Sequence, residues 1–323
     1  MQLSAFDYTD KDLEKLLASL YNGEIDPLNL PEDLYLAVAK FVMGGVEKGL
    51  SNPAIEFGEV DQKLMDALSE NIHLFSAAKT FNFTLEASDS MFDKNGKLLP
   101  FEDFKIKATQ VFEKYHGEIE HGTIKGGWLE AEYNTALSQA GHVKKWNQIQ
   151  ETKHLLPYLI RNEVSDATEC DICASVNGVC LPADHPFWNE NAGDLHFNCR
   201  GIVEQADKGE GESKEWDEDE IKQGLKKGDD AGRTDAFKFN PGKREEIFAT
   251  DGKSQHPYFQ IPKPYQKFAE QNFGLPIPQI EHPQLTKPQQ KELNDLPRSK
   301  VHSKAESMQQ EKSLIRNSEK SIG

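Results

Sequence analysis

Apolar residues recur at helical spacing through most of the first 150 positions. Leu13, Leu16, Leu17 and Leu20 lie three and four apart behind Thr9-x-x-Asp12, a capping-box pattern, and Gly23 stands where that helix would end. Pro31 suits a first helical position and leads into Leu34, Val38, Phe41 and Val42, while Gly44-Gly45 leaves the end of this second helix open. Leu64, Leu68, Ile72 and Phe75 form one stripe and predict a third helix over 61–79. Beyond the turn signal Asp93-Lys94-Asn95-Gly96, the positions Phe101, Phe104, Ala108, Val111, Phe112 and Tyr115 predict another amphipathic helix over 101–115. Glycines break the chain over 116–127. The strongest pattern covers 128–149, where Trp128, Leu129, Glu132, Tyr133, Ala136, Leu137, Ala140 and Val143 share a face, and core packing is the reading for its aromatics.

After Pro157 the period shortens. Residues 172–181 read as a turn with a short hairpin around Asn177-Gly178, and 201–205 as one more strand. Residues 207–233 hold 10 acidic and 6 basic residues with five glycines, which predicts a solvated loop with one short helix near 218–227. Aromatics return over 237–259, with a turn at Asn240-Pro241-Gly242. Past Pro276 the chain is rich in Pro, Gln and Ser and predicts an extended or marginally helical arm. No repeat of 20–50 residues is present. The fold class expected is α+β: a mainly helical N-terminal half, then a small Cys/His knuckle with short strands, then a flexible tail.

Composition narrows the function classes. The 323 residues carry 37 Lys+Arg against 54 Asp+Glu, a formal charge of −17, and 37% are hydrophobic. An acidic surface repels phosphates, so general DNA binding is not expected of the chain as a whole. The exception is the tail: residues 279–323 hold eight basic and six acidic residues, and Lys287, Lys291, Arg298, Lys300 and Lys304 make it the one place for weak DNA contact. No run of about 18 apolar residues exists, so no membrane span is expected. The acidic N-terminus lacks the apolar stretch of a secretory signal.

All four cysteines fall between positions 170 and 199. Cys170-x-x-Cys173 is followed after 22 residues by His196-x-x-Cys199. Two such pairs suit a tetrahedral ion, because each two-residue turn lets two side chains converge, and three sulfurs with one imidazole suit zinc. The competing reading is a set of reduced thiols packed without metal. Cys180 sits between Val179 and Leu181 and reads as a small buried thiol, and His185, before Pro186-Phe187-Trp188, reads as a turn residue. Disulfide exchange at Cys170/Cys173 lacks the βαβ context it needs. An enzymatic alternative is a zinc-dependent enzyme acting on nucleic acid or nucleobases. His116-x-Glu118 followed by the Cys170/Cys173 pair loosely mimics the deaminase signature, with Glu118 as proton shuttle. Glu169 stands where that signature has Pro, and the scheme leaves His196 and Cys199 without a role.

A longer set of residues carries a resemblance. Leu155-Leu156-Pro157-Tyr158-Leu159-Ile160-Arg161, Asp166, Gly178-Val179-Cys180-Leu181-Pro182-Ala183-Asp184-His185-Pro186-Phe187-Trp188 and His196-Phe197-Asn198-Cys199-Arg200 together resemble the signature of phage head morphogenesis proteins of the Mu F-like family, which includes minor head proteins. The helical lead-in, with Phe75, Phe101, Phe104, Trp128, Tyr133 and Trp146, is similar as well. The resemblance covers about residues 60–205 and implies four segments: a helical region over 1–59, the head morphogenesis domain over 60–205 with its knuckle at 170–199, an acidic and aromatic segment over 206–262, and a polar tail over 263–323. Two departures stand out. Gly201 follows Arg200 where the family often closes with Cys-Arg-Cys, and the Cys170/Cys173 pair replaces a lone His. The resemblance implies a non-enzymatic virion component that contacts portal, capsid or scaffold proteins, first in the host cytoplasm and then in the head. No catalytic residue carries over. The reducing compartment of assembly would favour metal-bound thiols over disulfides. Arg200 is expected to pair with a local carboxylate such as Asp194 or with a partner.

Overall fold

The computed structural model describes residues 6–51, 62–120 and 123–272. The chain is α+β, as its patterning predicts. Helices α1 (Asp10–Tyr21), α2 (Glu32–Leu50), α3 (Gln62–Asp89) and α4 (Phe101–His116) are followed by a two-stranded hairpin, β1 (Glu118–Glu120) and β2 (Thr123–Lys125), and then by α5 (Gly127–Thr152). The capping box forms: Asp12 N–H donates to Thr9 Oγ1 at 3.3 Å and Thr9 N–H to Asp12 Oδ2 at 2.8 Å. Leu16, Leu17, Leu20, Leu34, Val38, Phe41, Leu68, Phe75, Phe104, Phe112, Tyr133 and Val143 meet in one core, so the predicted stripes are the packed ones.

Several boundaries differ from expectation, each for a packing reason. α2 passes straight through Gly44-Gly45 to Leu50, because α5 lies against it. A Cβ on Gly45 would stand 2.7 Å from the carbonyl oxygen of Tyr133, and one on Gly49 would stand 2.1 Å from that of Leu137. These glycines let two helices approach; they do not end one. α3 continues past Lys79 to Asp89, and the expected start at Asp61 lies outside the described residues. Residues 116–127 hold a hairpin where a plain turn was expected. Trp128 is 44% exposed, not core. It stands on the first turn of α5, past the end of the core, with its ring 5.1 Å from Tyr115 and Lys114 Nζ 5.1 Å above it.

The second core follows. Strands β3 (Tyr158–Asn162), β4 (Cys180–Pro182) and β5 (Ile202–Ala206) form an antiparallel sheet in the order β4-β3-β5, with α6 (Asp171–Ala174) between β3 and β4 and α7 (Trp188–Asn191) between β4 and β5. β5 bears out the strand expected at 201–205. The hairpin expected within 172–181 does not form. Its first half is the helical turn α6, and its second half is β4, which pairs with β3 through Leu159↔Leu181. In the acidic stretch the short helix expected near 218–227 forms as α9 (Glu218–Asp230), and part of the expected loop is a further helix, α8 (Lys208–Lys214). Asp217 and Glu220 box the start of α9, and Ile221, Trp216 and Leu225 pack onto the second core with Trp188, Phe187 and Leu195. Asn240 caps α10 (Pro241–Arg244).

The chain then returns to the first core. Asn71 Oδ1 accepts from the N–H groups of Ile247 (2.8 Å) and Phe248 (2.9 Å), and the Phe248 ring stacks on Phe75. Tyr258 reaches a buried ion pair, Lys79–Glu132 at 2.9 Å, and donates to Glu132 at 2.7 Å. A last short helix, α11 (Gln266–Asn272), closes the described chain. The arm past Pro276, with its eight basic residues, lies outside the described residues. Among those described, no helix is long and apolar enough to cross a membrane.

Candidate metal centre

The knuckle is built from two short turns set against β3. Cys170 caps α6 and Cys173 sits one turn later; Ala174 N–H donates to the Cys170 carbonyl at 2.9 Å, which brings the two thiols to one side. On the other arm Cys199 N–H donates to the His196 carbonyl at 3.2 Å. Asn198 makes that tight turn with φ 58°, a left-handed conformation that asparagine tolerates better than most residues. His196 Nδ1 lies 2.7 Å from the Phe197 carbonyl, which turns Nε2 toward the sulfurs.

The donor atoms converge. His196 Nε2 lies 3.2 Å from Cys170 Sγ and 3.0 Å from Cys173 Sγ, and Cys173 Sγ lies 3.9 Å from Cys199 Sγ. Bonds of about 2.0–2.3 Å in a tetrahedron put donors roughly 3.5–3.8 Å apart, so these separations bracket what one ion requires. The arrangement is not a regular tetrahedron. Cys170, Cys173 and His196 lie within 4.8 Å of one another, whereas Cys199 joins through Cys173 and forms a second such group with Cys173 and Glu163. A recess of about 50 Å³ lies between them, lined by Glu163, Cys170, Cys173, His196 and Arg200. The cluster is compatible with a metal site.

Burial works against a thiolate here, and the hydrogen bonding and charge around the sulfurs work against burial at Cys199 alone. Cys173 and Cys199 are buried, Cys170 and His196 half-buried. The hydrogen bond between the two buried thiols splits them: Cys199 is pulled below the usual thiol range by Cys173 and by the nearby Arg161 guanidinium, and Cys173 is pushed up.

The surroundings hold the knuckle in place. Arg200 makes a two-pronged pair with Asp166, at 2.8 and 2.9 Å, and donates to Thr168 at 2.7 Å. These contacts hold the Asp166 carboxyl well below its usual range. The expected carboxylate partner is thus Asp166, not Asp194. Asp194 faces α5 instead, accepting from Ser138 Oγ at 2.7 Å and meeting His142 Nε2 at 3.1 Å, which docks the loop before His196 onto the long helix. Trp188 Nε1 donates to the Pro182 carbonyl and Asn240 to the Trp188 carbonyl, so the Pro-Phe-Trp segment is an anchor in the core.

Other candidates fall elsewhere. Cys180 lies in β4, buried, with its sulfur toward the Gly211 carbonyl at 3.7 Å, and it belongs to neither metal-capable group. His185 is the turn residue expected; its Nδ1 accepts from Phe187 N–H at 3.2 Å. His116 is fully buried in the helical core among Phe6, Phe83 and Phe112, and burial pushes its pKa well down. Glu118 is exposed on β1. The structure therefore does not bring His116 and Glu118 to the Cys170/Cys173 pair as the deaminase-like scheme needs. Arg161 and Glu163 are the site residues that spacing alone missed. Their signal was present: Leu159 and Arg161 alternate onto the same buried face of β3, and a cation there requires an anion beside it. No protein-family model, curated protein or solved structure matches this chain.

Proposed function

We propose that the protein is a minor head protein of a tailed phage or prophage, working in head assembly through contacts with portal, capsid or scaffold proteins. In this reading zinc at Cys170, Cys173, His196 and Cys199 is a structural ion. One observation carries it: the dispersed residues of the resemblance interlock as one unit. Asp166 pairs with Arg200 and Arg161 reaches Cys199, which brace the knuckle, while Trp188 bonds Pro182 in the core beside it. A signature that serves to hold a shape is what a binding module needs. Four protein donors leave no open position for a reacting water, which favours a structural ion over a catalytic one. Zinc would also add folding free energy to a segment with a small apolar core, apparent values being about 10–16 kcal/mol for small zinc peptides. Antibody detection in purified procapsids and virions, with a deletion strain alongside, tests the role. The expected result is a head-associated band and a fall in head yield or infectivity on deletion. Absence from both particles with normal heads and infectivity would overturn it.

A further inference from the structure

Arg161 is fully buried, and each side of its guanidinium is committed. Nε donates to Glu163 Oε1; Nη1 donates to the carbonyls of Asn191 (3.2 Å) and Gly193 (2.6 Å); Nη2 points at Cys199 Sγ, 3.5 Å away. One side chain thus ties β3 to the loop before His196 and to the last cysteine. Glu163 has its side chain 1% exposed, and its second oxygen, Oε2, has no hydrogen-bond partner. One oxygen of this carboxylate lies within 4.8 Å of both the Cys173 and Cys199 sulfurs. Room for it exists because position 201 is glycine: a Cβ there would come 2.0 Å from Oε2.

An ion held by three thiolates and a neutral imidazole carries one excess negative charge. Buried, that charge needs a cation or several donors near the sulfurs. Arg161 meets the need on Cys199, the sulfur that joins the cluster only through Cys173. Resting on the metal reading given above, we propose that the Arg161–Glu163 pair is the positioning device of the centre. Arg161 sets Cys199 as the fourth donor and offsets the thiolate charge, and Glu163 orients the guanidinium without binding the ion. Partners of this kind around metal ligands typically change affinity by roughly 10- to 100-fold when removed.

The test uses the full chain loaded with Co2+ as a spectroscopic probe and then competed with zinc. Wild type should take one ion per chain and show thiolate-to-cobalt charge transfer. Arg161→Lys and Glu163→Gln should each still take one ion, with affinity lower by roughly 10- to 100-fold. Their charge-transfer band should move to lower energy, because a sulfur that loses an N–H contact gives up its electrons more readily. Gly201→Ala, which displaces the Glu163 carboxylate while leaving Arg161 and the four proposed ligands unsubstituted, should move both readouts the same way and serves if Arg161→Lys does not fold. Folded variants with wild-type affinity and an unshifted band would overturn the proposal. So would two ions in wild type and one in Glu163→Gln, since Glu163 would then be a ligand. A wild-type chain that binds no Co2+ would overturn the metal reading itself, and this inference with it.

Discussion

Lys79 and Glu132 are both buried, and burial pushes Lys79 down and Glu132 up from their usual pKa values. The Tyr115 carbonyl, at 2.6 Å, and Tyr258 complete the ammonium's contacts. Removing one partner leaves a charge without an anion in an apolar core. Glu132→Leu is therefore expected to cost about 3–5 kcal/mol in urea unfolding, and Lys79→Met combined with Glu132→Leu is expected to recover most of it. If the double variant is as unstable as the single one, packing and not charge is what Glu132 supplies. His256 sits beside this cluster, and burial pushes its pKa down to about 3. The unfolded histidine binds a proton below its usual value of about 6.5 and the folded one does not, so stability falls as pH drops from about 6.5 toward 3. The slope is about 1.4 kcal/mol per pH unit for one such group. His256→Asn keeps an acceptor for the Tyr258 N–H, which His256 Nδ1 now provides, but cannot titrate. Urea midpoints at pH 7, 5.5 and 4.5 should show a shallower fall in the variant than in wild type; equal slopes would remove His256 from the acid response.

Among the elements, helical stripes were legible because burial and periodicity report the same thing. The long faces of α2, α3, α4 and α5 follow directly from the spacing of Leu, Phe and Val. What the sequence hid was the use of glycine. Gly44-Gly45 left the end of α2 open, yet Gly45 and Gly49 are where α5 presses on α2; Gly224 lies in α9, where a Cβ would stand 2.6 Å from the Ser175 carbonyl oxygen. A glycine that gives room to a neighbour looks, in one dimension, like one that ends a helix. Gly49→Ala is thus expected to destabilise the chain by about 1–3 kcal/mol, despite alanine's better helix propensity. A stability gain in thermal or urea unfolding would show that the close contact is absent in solution. The metal-site candidates were legible for a related reason. Two-residue spacing is local chemistry: it places Cys170 with Cys173, and a backbone turn joins His196 to Cys199. Alternation along β3 marks Arg161 as buried, but its contact with Cys199 and that of Asp194 with His142 were not legible, because they depend on how β3 and α5 stack against the knuckle.

At the scale of the whole molecule, the helical core and the sheet-and-knuckle core are stabilised differently. The first has long helices, interlocked aromatics and a returning segment that closes over it. The second is smaller, and it holds the cluster of cysteines and His196 that one ion would bridge. A chelator should act on one and spare the other. Hydrogen exchange in strong chelator is expected to speed up across 158–206 and to stay unchanged in α2 and α5; uniform acceleration, or none, would contradict a local ion. The structural role proposed for zinc and the positioning role proposed for Arg161 both rest on that ion. The most direct measurement is elemental analysis of the purified full chain, prepared without added metal, beside Cys170→Ser and His196→Ala. The account predicts close to one zinc per wild-type chain and a marked loss in both variants. A wild-type chain free of metal, with residues 158–206 still fully protected from exchange in chelator, would contradict it.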